Sequence, residues 1–185
     1  MRKRRSNKVL SQPVARSEVK ALFAAAQSLR ERAMLRVLYE TGVRVGELVD
    51  LNGNDIDAGW LRVRREKTDG DLRSDPPLAK ETEALLRQLA RGDGPLFRNS
   101  HGGRLTAAGA RFLLRAIAAR SGLRTRFHPH RMRTSCATHG MQDGTPLPVM
   151  QALLGHANPG TTSRYMHVSG DDLRLAVEKL RRGVR

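Results

Sequence analysis

A few side chains in this sequence have the types and the order needed to break and rejoin a phosphodiester bond. Such chemistry needs a nucleophile, an acid for the leaving 5′-oxygen, and cations that stabilise the pentacoordinate phosphate. Guanidinium groups suit the phosphate, because their planar fork donates paired hydrogen bonds and stays charged. Tyrosine suits the nucleophile, because its phosphodiester link can be reversed. The chain supplies Arg44, His130, Arg133, His156 and Tyr165 in that order.

The spacing of these residues favours one shared site. In the segment TGVRVGEL, Arg44 precedes Glu47 by three residues, which places both side chains on one face of a helix. In the segment HRMR, His130 precedes Arg133 by the same interval. A Gly-His pair follows, and the tyrosine comes nine residues after that histidine.

This ordered set resembles the tyrosine recombinases, the integrase family that includes phage integrases and the Xer enzymes that resolve chromosome dimers. The shared motifs are the arginine of TGxRxxEL, a hairpin lysine, HxxR, a Gly-His pair and a tyrosine shortly afterwards. The resemblance covers roughly residues 12–180. It implies a site-specific DNA recombinase, whether for integration, excision, inversion or resolution. Such an enzyme cleaves DNA through a 3′-phosphotyrosyl intermediate.

The resemblance also implies a role for each matching residue. Arg44 and Arg133 would hold the oxygens of the scissile phosphate. His130 and His156 would hydrogen-bond the same phosphate, and His130 could accept the proton of the nucleophile Tyr165. Preorganised cations of this kind would supply the largest share of the catalysis.

Two further residues complete the implied site. Lys67, at the edge of a predicted hairpin, would be the general acid that protonates the departing 5′-OH. Glu47 would orient the arginine and histidine groups. Arg73 is a weaker candidate for a phosphate contact, and Lys80 is predicted to lie in a helix instead.

Apolar periodicity predicts a mixed, mostly helical α+β fold with one small antiparallel β-sheet. The resemblance implies the DNA breaking-rejoining fold of recombinase catalytic domains. A strand near residues 60–63 is expected to pair, across a turn at 68–71, with a weaker strand that leads to 76–78. In the helix capped by Thr106, the predicted core residues are Phe112, Leu113, Ile117 and Ala118. Helices are expected over residues 29–39, 81–90, 106–121 and 146–154, from near 17, 44 and 128 onward, and over 171–180.

The domain organisation predicted from the sequence is a flexible basic arm over residues 1–12 and one catalytic domain over 13–185. Most relatives carry a further N-terminal DNA-clamping domain, for which this chain has no room. Its layout resembles the fimbrial-switch inversion recombinases, and a fragment of a longer recombinase is the other explanation. The last helix could pack within its own chain or dock on a neighbouring protomer.

The charge of the chain predicts a polyanionic partner. The 34 Lys and Arg residues outnumber the 18 Asp and Glu residues, which gives a formal net charge of +16. Basic surfaces bind DNA by displacing its condensed counterions. The expected partner is double-stranded DNA at specific sites, with a homotetramer on two sites and a monomer possible without DNA. The single cysteine excludes an intrachain disulfide, and no membrane-spanning run is present, so the expected location is the cytoplasm, at the nucleoid.

Rival interpretations come from the histidines and from the missing clamp. Five of the six histidines lie between residues 128 and 167, which raises the possibility of a metal site. The chain has neither HExxH nor CxxC, so neither a metal nor a cofactor is expected. The histidines that a metal site could use are His128, His130, His139 and His156.

Two other functions remain alternatives to recombination. One is a catalytically silent accessory protein, and the other is a topoisomerase-like enzyme that relaxes DNA.

Overall fold

The computed structural model describes residues 12–64, 75–123, 127–155 and 168–184. Within these ranges the chain is mostly helical, with one two-stranded antiparallel sheet, which confirms the predicted fold class. The helices are α1 (Arg16–Ala24), α2 (Leu29–Thr41), α3 (Val45–Asp50), α4 (Lys80–Leu89), α5 (Ala107–Arg120), α6 (Pro129–Gln142), α7 (Leu147–Leu154) and α8 (Gly170–Arg182). The strands are β1 (Ile56–Asp57) and β2 (Trp60–Leu61).

Helix α2 is the centre of the fold. The hydroxyl of Ser28 caps its first turn by accepting a hydrogen bond from the backbone N–H of Glu31. Gly42 ends the helix in the left-handed conformation, so that the helix extends two residues beyond the end expected from the sequence for the helix over residues 29–39. Leu35 and Leu38 are fully buried, because α1, α3, α4, α5, α6 and α8 all pack against α2. The loop after Gly42 leads directly into the predicted arginine motif.

The start of the described chain is tied to α6. The buried guanidinium of Arg131 donates hydrogen bonds to the carbonyl oxygens of Gln12 and Pro13. The backbone N–H of Val14 donates to the hydroxyl of Ser135 at 2.7 Å. These bonds fix the entry of the chain on the face of α6 that carries Arg131.

The sheet differs in part from the prediction. Strand β2 pairs with β1, a strand that was not predicted from the sequence. A tight turn at Ala58 and Gly59 joins the two strands, and both turn residues have positive φ. The predicted partner near residues 76–78 is also present, because Trp60 forms an antiparallel bridge with Pro77. The predicted turn at 68–71 lies outside the described residues. A strand of only two residues leaves almost no alternation to detect in the sequence.

Helix α5 has the predicted bounds but a different buried face. Thr106 caps it by accepting a hydrogen bond from the N–H of Gly109. The prediction that Phe112 belongs to the core is wrong, since 67% of this residue is exposed. Three apolar residues in a row cannot all face one side of a helix with 3.6 residues per turn. The buried stripe is Ala110, Leu114, Ile117 and Ala118.

The last helix packs within its own chain. Val177 and Leu180 of α8 are buried against α2, α6 and α7. Ser169 and Asp172 form a capping box at its start. Among the described residues, no helix has the length and apolar character that crossing a membrane requires.

Replacing Gly42 with alanine is expected to destabilise the fold by about 1–3 kcal/mol. Gly42 has a φ of +62°, and an added Cβ would lie 2.3 Å from Cδ2 of Leu154. Urea unfolding followed by circular dichroism would measure the change. Gly46→Ala is the control, because nothing lies within 4 Å of its added Cβ, and it should gain about 0.5–1 kcal/mol. Equal stability of the two variants would contradict this account of Gly42.

Candidate active site

A cleft of about 440 Å³ opens beyond the C-terminal end of α2. Four of the residues predicted from the sequence line it together: Arg44, Glu47, His130 and Arg133. They arrive from two separate elements, the N-terminus of α3 and the first turns of α6. The fold therefore brings the TGVRVGEL and HRMR motifs to one place, as their resemblance implied.

Arg44 is held at the mouth of the cleft by Glu47. Its backbone N–H and its guanidinium Nη1 both donate to the Glu47 carboxylate, each at 2.7 Å. Glu47 is buried, whereas the Arg44 side chain is 53% exposed. The buried carboxylate of Glu47 thus holds both the backbone and the guanidinium of Arg44, whose side chain lines the open cleft. The orienting role that the resemblance implied for Glu47 stays a prediction.

Arg133 is anchored more deeply. Its Nη1 donates to the carbonyl oxygen of Gly42 at 2.5 Å, and its Nη2 donates to that of Leu154 at 2.7 Å. Only 6% of the residue is exposed. One guanidinium therefore joins the loop before Arg44 to the end of α7, two residues before His156 in the sequence.

The histidines of the cleft lie side by side at the start of α6. The rings of His128 and His130 stack, with their centroids 6.4 Å apart and an angle of 10° between their planes. His130 is exposed. His128 was expected only as a possible ligand of the rival metal site, yet it lines the same cleft as His130. Its position next to the predicted HRMR motif was the available signal.

Other charged residues of the cleft were also missed. Arg64, just beyond β2, and Arg111, on the exposed face of α5, both line it, as does Asp50 of α3. Four arginines and two carboxylates make the described lining net positive before any histidine is counted. Neither sequence motifs nor periodicity indicate which surface arginines converge, because this depends on how α5 packs.

One of the two tyrosines of the chain is unavailable for chemistry. Tyr39 is fully buried in α2, and its hydroxyl hydrogen-bonds Nδ1 of His139 at 2.9 Å. Burial raises the pKa of Tyr39 well above its ordinary value. His139 is buried as well, and burial lowers its pKa. The pair is part of the core, and the ring nitrogen Nδ1 of His139 is occupied by the Tyr39 hydroxyl.

The remaining predicted site residues, Lys67, His156 and Tyr165, lie outside the described residues, as does the weaker candidate Arg73. Lys80 begins α4, as the sequence predicted. Within the ranges that the structure describes, no group of three or more His, Cys, Asp or Glu side chains could hold a metal ion.

For the DNA-cleaving chemistry that the resemblance implies, Glu47→Gln is expected to slow cleavage roughly tenfold to a hundredfold while leaving DNA affinity nearly unchanged. The amide keeps the size of the side chain but removes the charge that holds the Arg44 guanidinium. Single-turnover cleavage rates and fluorescence anisotropy would separate the two effects. Glu83→Gln is the control, since Glu83 pairs with Arg87 and does not line the cleft. A loss no larger than that of the control would refute the orienting role of Glu47.

Comparison with known proteins identifies the family of the chain. Residues 13–171 match the Phage integrase family. A curated relative, tyrosine recombinase XerC of Herpetosiphon aurantiacus, is 39% identical over 163 residues, which cover 83% of this chain and 53% of the relative. The chain spans little more than half the length of such curated relatives.

Solved structures show the same fold. The XerA recombinase superposes with a TM-score of 0.68 at 26% identity, covering 91% of this chain and 63% of XerA. The site-specific recombinase XerH, solved on its palindromic difH substrate in a post-cleavage complex, gives a TM-score of 0.65 at 25% identity. That match covers 91% of this chain and 53% of XerH. The chain belongs to the phage integrase family, the tyrosine recombinases.

Proposed function

We propose that this chain cleaves and rejoins double-stranded DNA at specific sites, as the catalytic part of a tyrosine recombinase. The observation that carries the proposal is the convergence of Arg44, Arg133 and His130 in one positively charged cleft. Family membership and the names of the relatives favour this activity over a silent accessory role.

In the proposed reaction, the phenolic oxygen of Tyr165 attacks the scissile phosphorus in line with the leaving 5′-oxygen. A P–O bond to tyrosine forms as the P–O5′ bond breaks, and His130 accepts the phenolic proton. Lys67 gives a proton to the 5′-oxygen. Arg44 and Arg133 stabilise the charge that builds up on the phosphate. The 5′-OH of another strand then reverses the step, so no external energy source is required.

The burial of Tyr39 supports Tyr165 as the nucleophile. The chain has two tyrosines, and the hydroxyl of Tyr39 is enclosed in the core and bonded to His139. An enclosed, high-pKa phenol cannot reach a DNA phosphate. Tyr165 is the other tyrosine, and it follows the Gly-His motif at the family spacing.

The proposed partners are DNA and further copies of the chain. A net charge of +16 supports binding to a polyanion, and XerH is a relative solved on its DNA substrate. Two protomers would occupy each DNA site and four would form the active assembly, with a monomer possible in the absence of DNA. Action on chromosomal DNA would place the protein in the cytoplasm, at the nucleoid.

The proposed catalytic unit is residues 13–185, with residues 1–12 as a basic arm. The family match over residues 13–171 supports this boundary. The hydrogen bond from Arg131 to the carbonyl oxygen of Pro13 supports it as well, because it joins the first residue of the proposed unit to α6.

A suicide substrate tests the proposed function. The protein first selects its preferred duplex from a randomised DNA library, and that duplex is then synthesised with a nick near the centre of the site. Cleavage releases the short fragment next to the nick, so the covalent intermediate accumulates. We expect a DNA-linked protein band that survives denaturing electrophoresis. Tight binding of the intact duplex without any such band would contradict the proposal.

A further inference from the structure

Helix α5 presents an exposed stripe beside the cleft. Its members recur at helical spacing on the face opposite the buried Ala110 and Leu114. They combine one aromatic ring, two guanidinium groups and two methyl groups. The stripe, called here the α5 face, consists of Ala108, Arg111, Phe112, Arg115 and Ala119.

Phe112 is the exceptional residue of the α5 face. The chain has four phenylalanines; Phe97 and Phe127 are buried, and Phe23 packs partly against the core. Phe112 instead leaves 67% of its surface in contact with solvent. Leaving a phenyl ring in water forgoes the free energy that its burial would contribute to folding. A large apolar side chain in this position is typical of a contact surface.

The two arginines indicate the kind of surface that would cover the ring. Arg111 and Arg115 form no ion pair in the described part of the chain; Nε of Arg115 donates only to the carbonyl oxygen of Arg111, at 3.3 Å. The first turn of α5 carries no acidic side chain. An aromatic ring flanked by two uncompensated guanidinium groups therefore complements a polyanion that also offers apolar groups.

The position of the α5 face favours DNA over other polyanions. Arg111 lines the cleft that also holds Arg44 and Arg133, and Phe112 is the next residue along the helix. A duplex whose phosphate entered this cleft would therefore lie beside Arg111 and the part of the α5 face that adjoins it. An α-helix of about 10–12 Å diameter fits the major groove of B-DNA, which is about 12 Å wide.

We infer that Phe112 reads sequence by packing against the 5-methyl group of a thymine in the major groove beside the cleavage point. Arg111 and Arg115 bind the flanking phosphates and hold the ring in register. The thymine methyl is the one apolar group that a base pair displays in that groove, and phenylalanine contacts it without a hydrogen bond. This inference rests on the proposed function, because it requires the cleft to hold a DNA phosphate.

The first experiment compares DNA preferences. Wild type, Phe112→Ala and Leu175→Ala each select duplexes from a library randomised around a central nick. Leu175 is the matched control, because it is an apolar residue of α8 that is also more than half exposed. We expect one thymine position that wild type and the Leu175 variant share and that Phe112→Ala loses. Because Phe112 is exposed, its variant should unfold at the wild-type temperature, which a thermal melt checks.

The second experiment removes only the methyl group. Replacing that thymine with uracil should weaken wild-type binding about threefold to fourfold, the value of one buried methyl group. The same replacement should leave Phe112→Ala unaffected, whereas Phe112→Leu should retain part of the difference. If only the guanidinium groups contacted the DNA here, the replacement of thymine with uracil would not change the affinity of wild type or of either Phe112 variant.

The outcomes separate this inference from the proposed function. If wild type forms the covalent DNA complex but no thymine preference depends on Phe112, the role of Phe112 is overturned and the proposed function stands. If uracil weakens the DNA binding of wild type and Phe112→Ala equally, the role of Phe112 is likewise overturned and the proposed function stands. Absence of both binding and covalent complex in wild type overturns both.

Discussion

Tyr165→Phe is expected to abolish the covalent DNA complex, with a loss of at least about 10³-fold in cleavage rate. The variant lacks only the oxygen that would form the bond to phosphorus, so no other described group can replace it. DNA affinity should stay within about twofold, since phosphate contacts by basic residues dominate binding. Denaturing electrophoresis with the nicked duplex selected by wild type measures the cleavage rate. Fluorescence anisotropy measures the DNA affinity.

Tyr39→Phe is the matched control for this experiment. Loss of the hydrogen bond to His139 should cost about 0.5–1.5 kcal/mol of stability, while the cleavage rate of the folded protein should be unchanged. Residual covalent complex in Tyr165→Phe at a rate comparable to wild type would show that another residue attacks the phosphate.

Arg133→Lys is expected to lower the cleavage rate about 10²-fold to 10³-fold. A lysine ammonium cannot present the planar fork that matches two phosphate oxygens. It also cannot reach the carbonyls of Gly42 and Leu154 together, so the connection between the two sides of the cleft is lost. The protein should therefore lose about 1–3 kcal/mol of stability in the same variant.

Arg131→Lys separates the catalytic loss from the structural one. Arg131 is as buried as Arg133, and it also donates to two backbone carbonyls, but it does not line the cleft. It should lose similar stability and retain the wild-type cleavage rate at a temperature where both variants are folded. If both variants lose cleavage activity equally, Arg133 serves the fold rather than the phosphate.

The parts of the fold that local chemistry determines were predictable from the sequence. Thr106 caps α5 as predicted, and α2 and α7 end at left-handed glycines, Gly42 and Gly155, within two residues of the predicted ends of these helices. The motifs around Arg44 and Arg133 reach one cleft, which the resemblance to the family implied and their separate local spacings alone did not.

The parts that depend on packing were not predictable. Phe112 was assigned to the core because it begins an apolar run, whereas the small Ala110 sets the true phase of α5. Arg111 enters the cleft only because α5 packs against α3, and Arg64 reaches it from the segment that follows β2. Strand β1 forms because the tight turn at Gly59 presents Ile56 to Leu61, a contact that two residues cannot signal in advance.

The most direct test of this account is the identity of the residue that carries the DNA. Trypsin digestion of the covalent complex, followed by mass spectrometry, distinguishes the two tyrosines, because Tyr165 falls in the peptide 165–174 and Tyr39 in the peptide 37–44. The account predicts a nucleotide joined through its 3′-phosphate to the peptide 165–174, with a free 5′-OH on the other DNA end. Attachment to any other peptide, or through a 5′-phosphate, would contradict it.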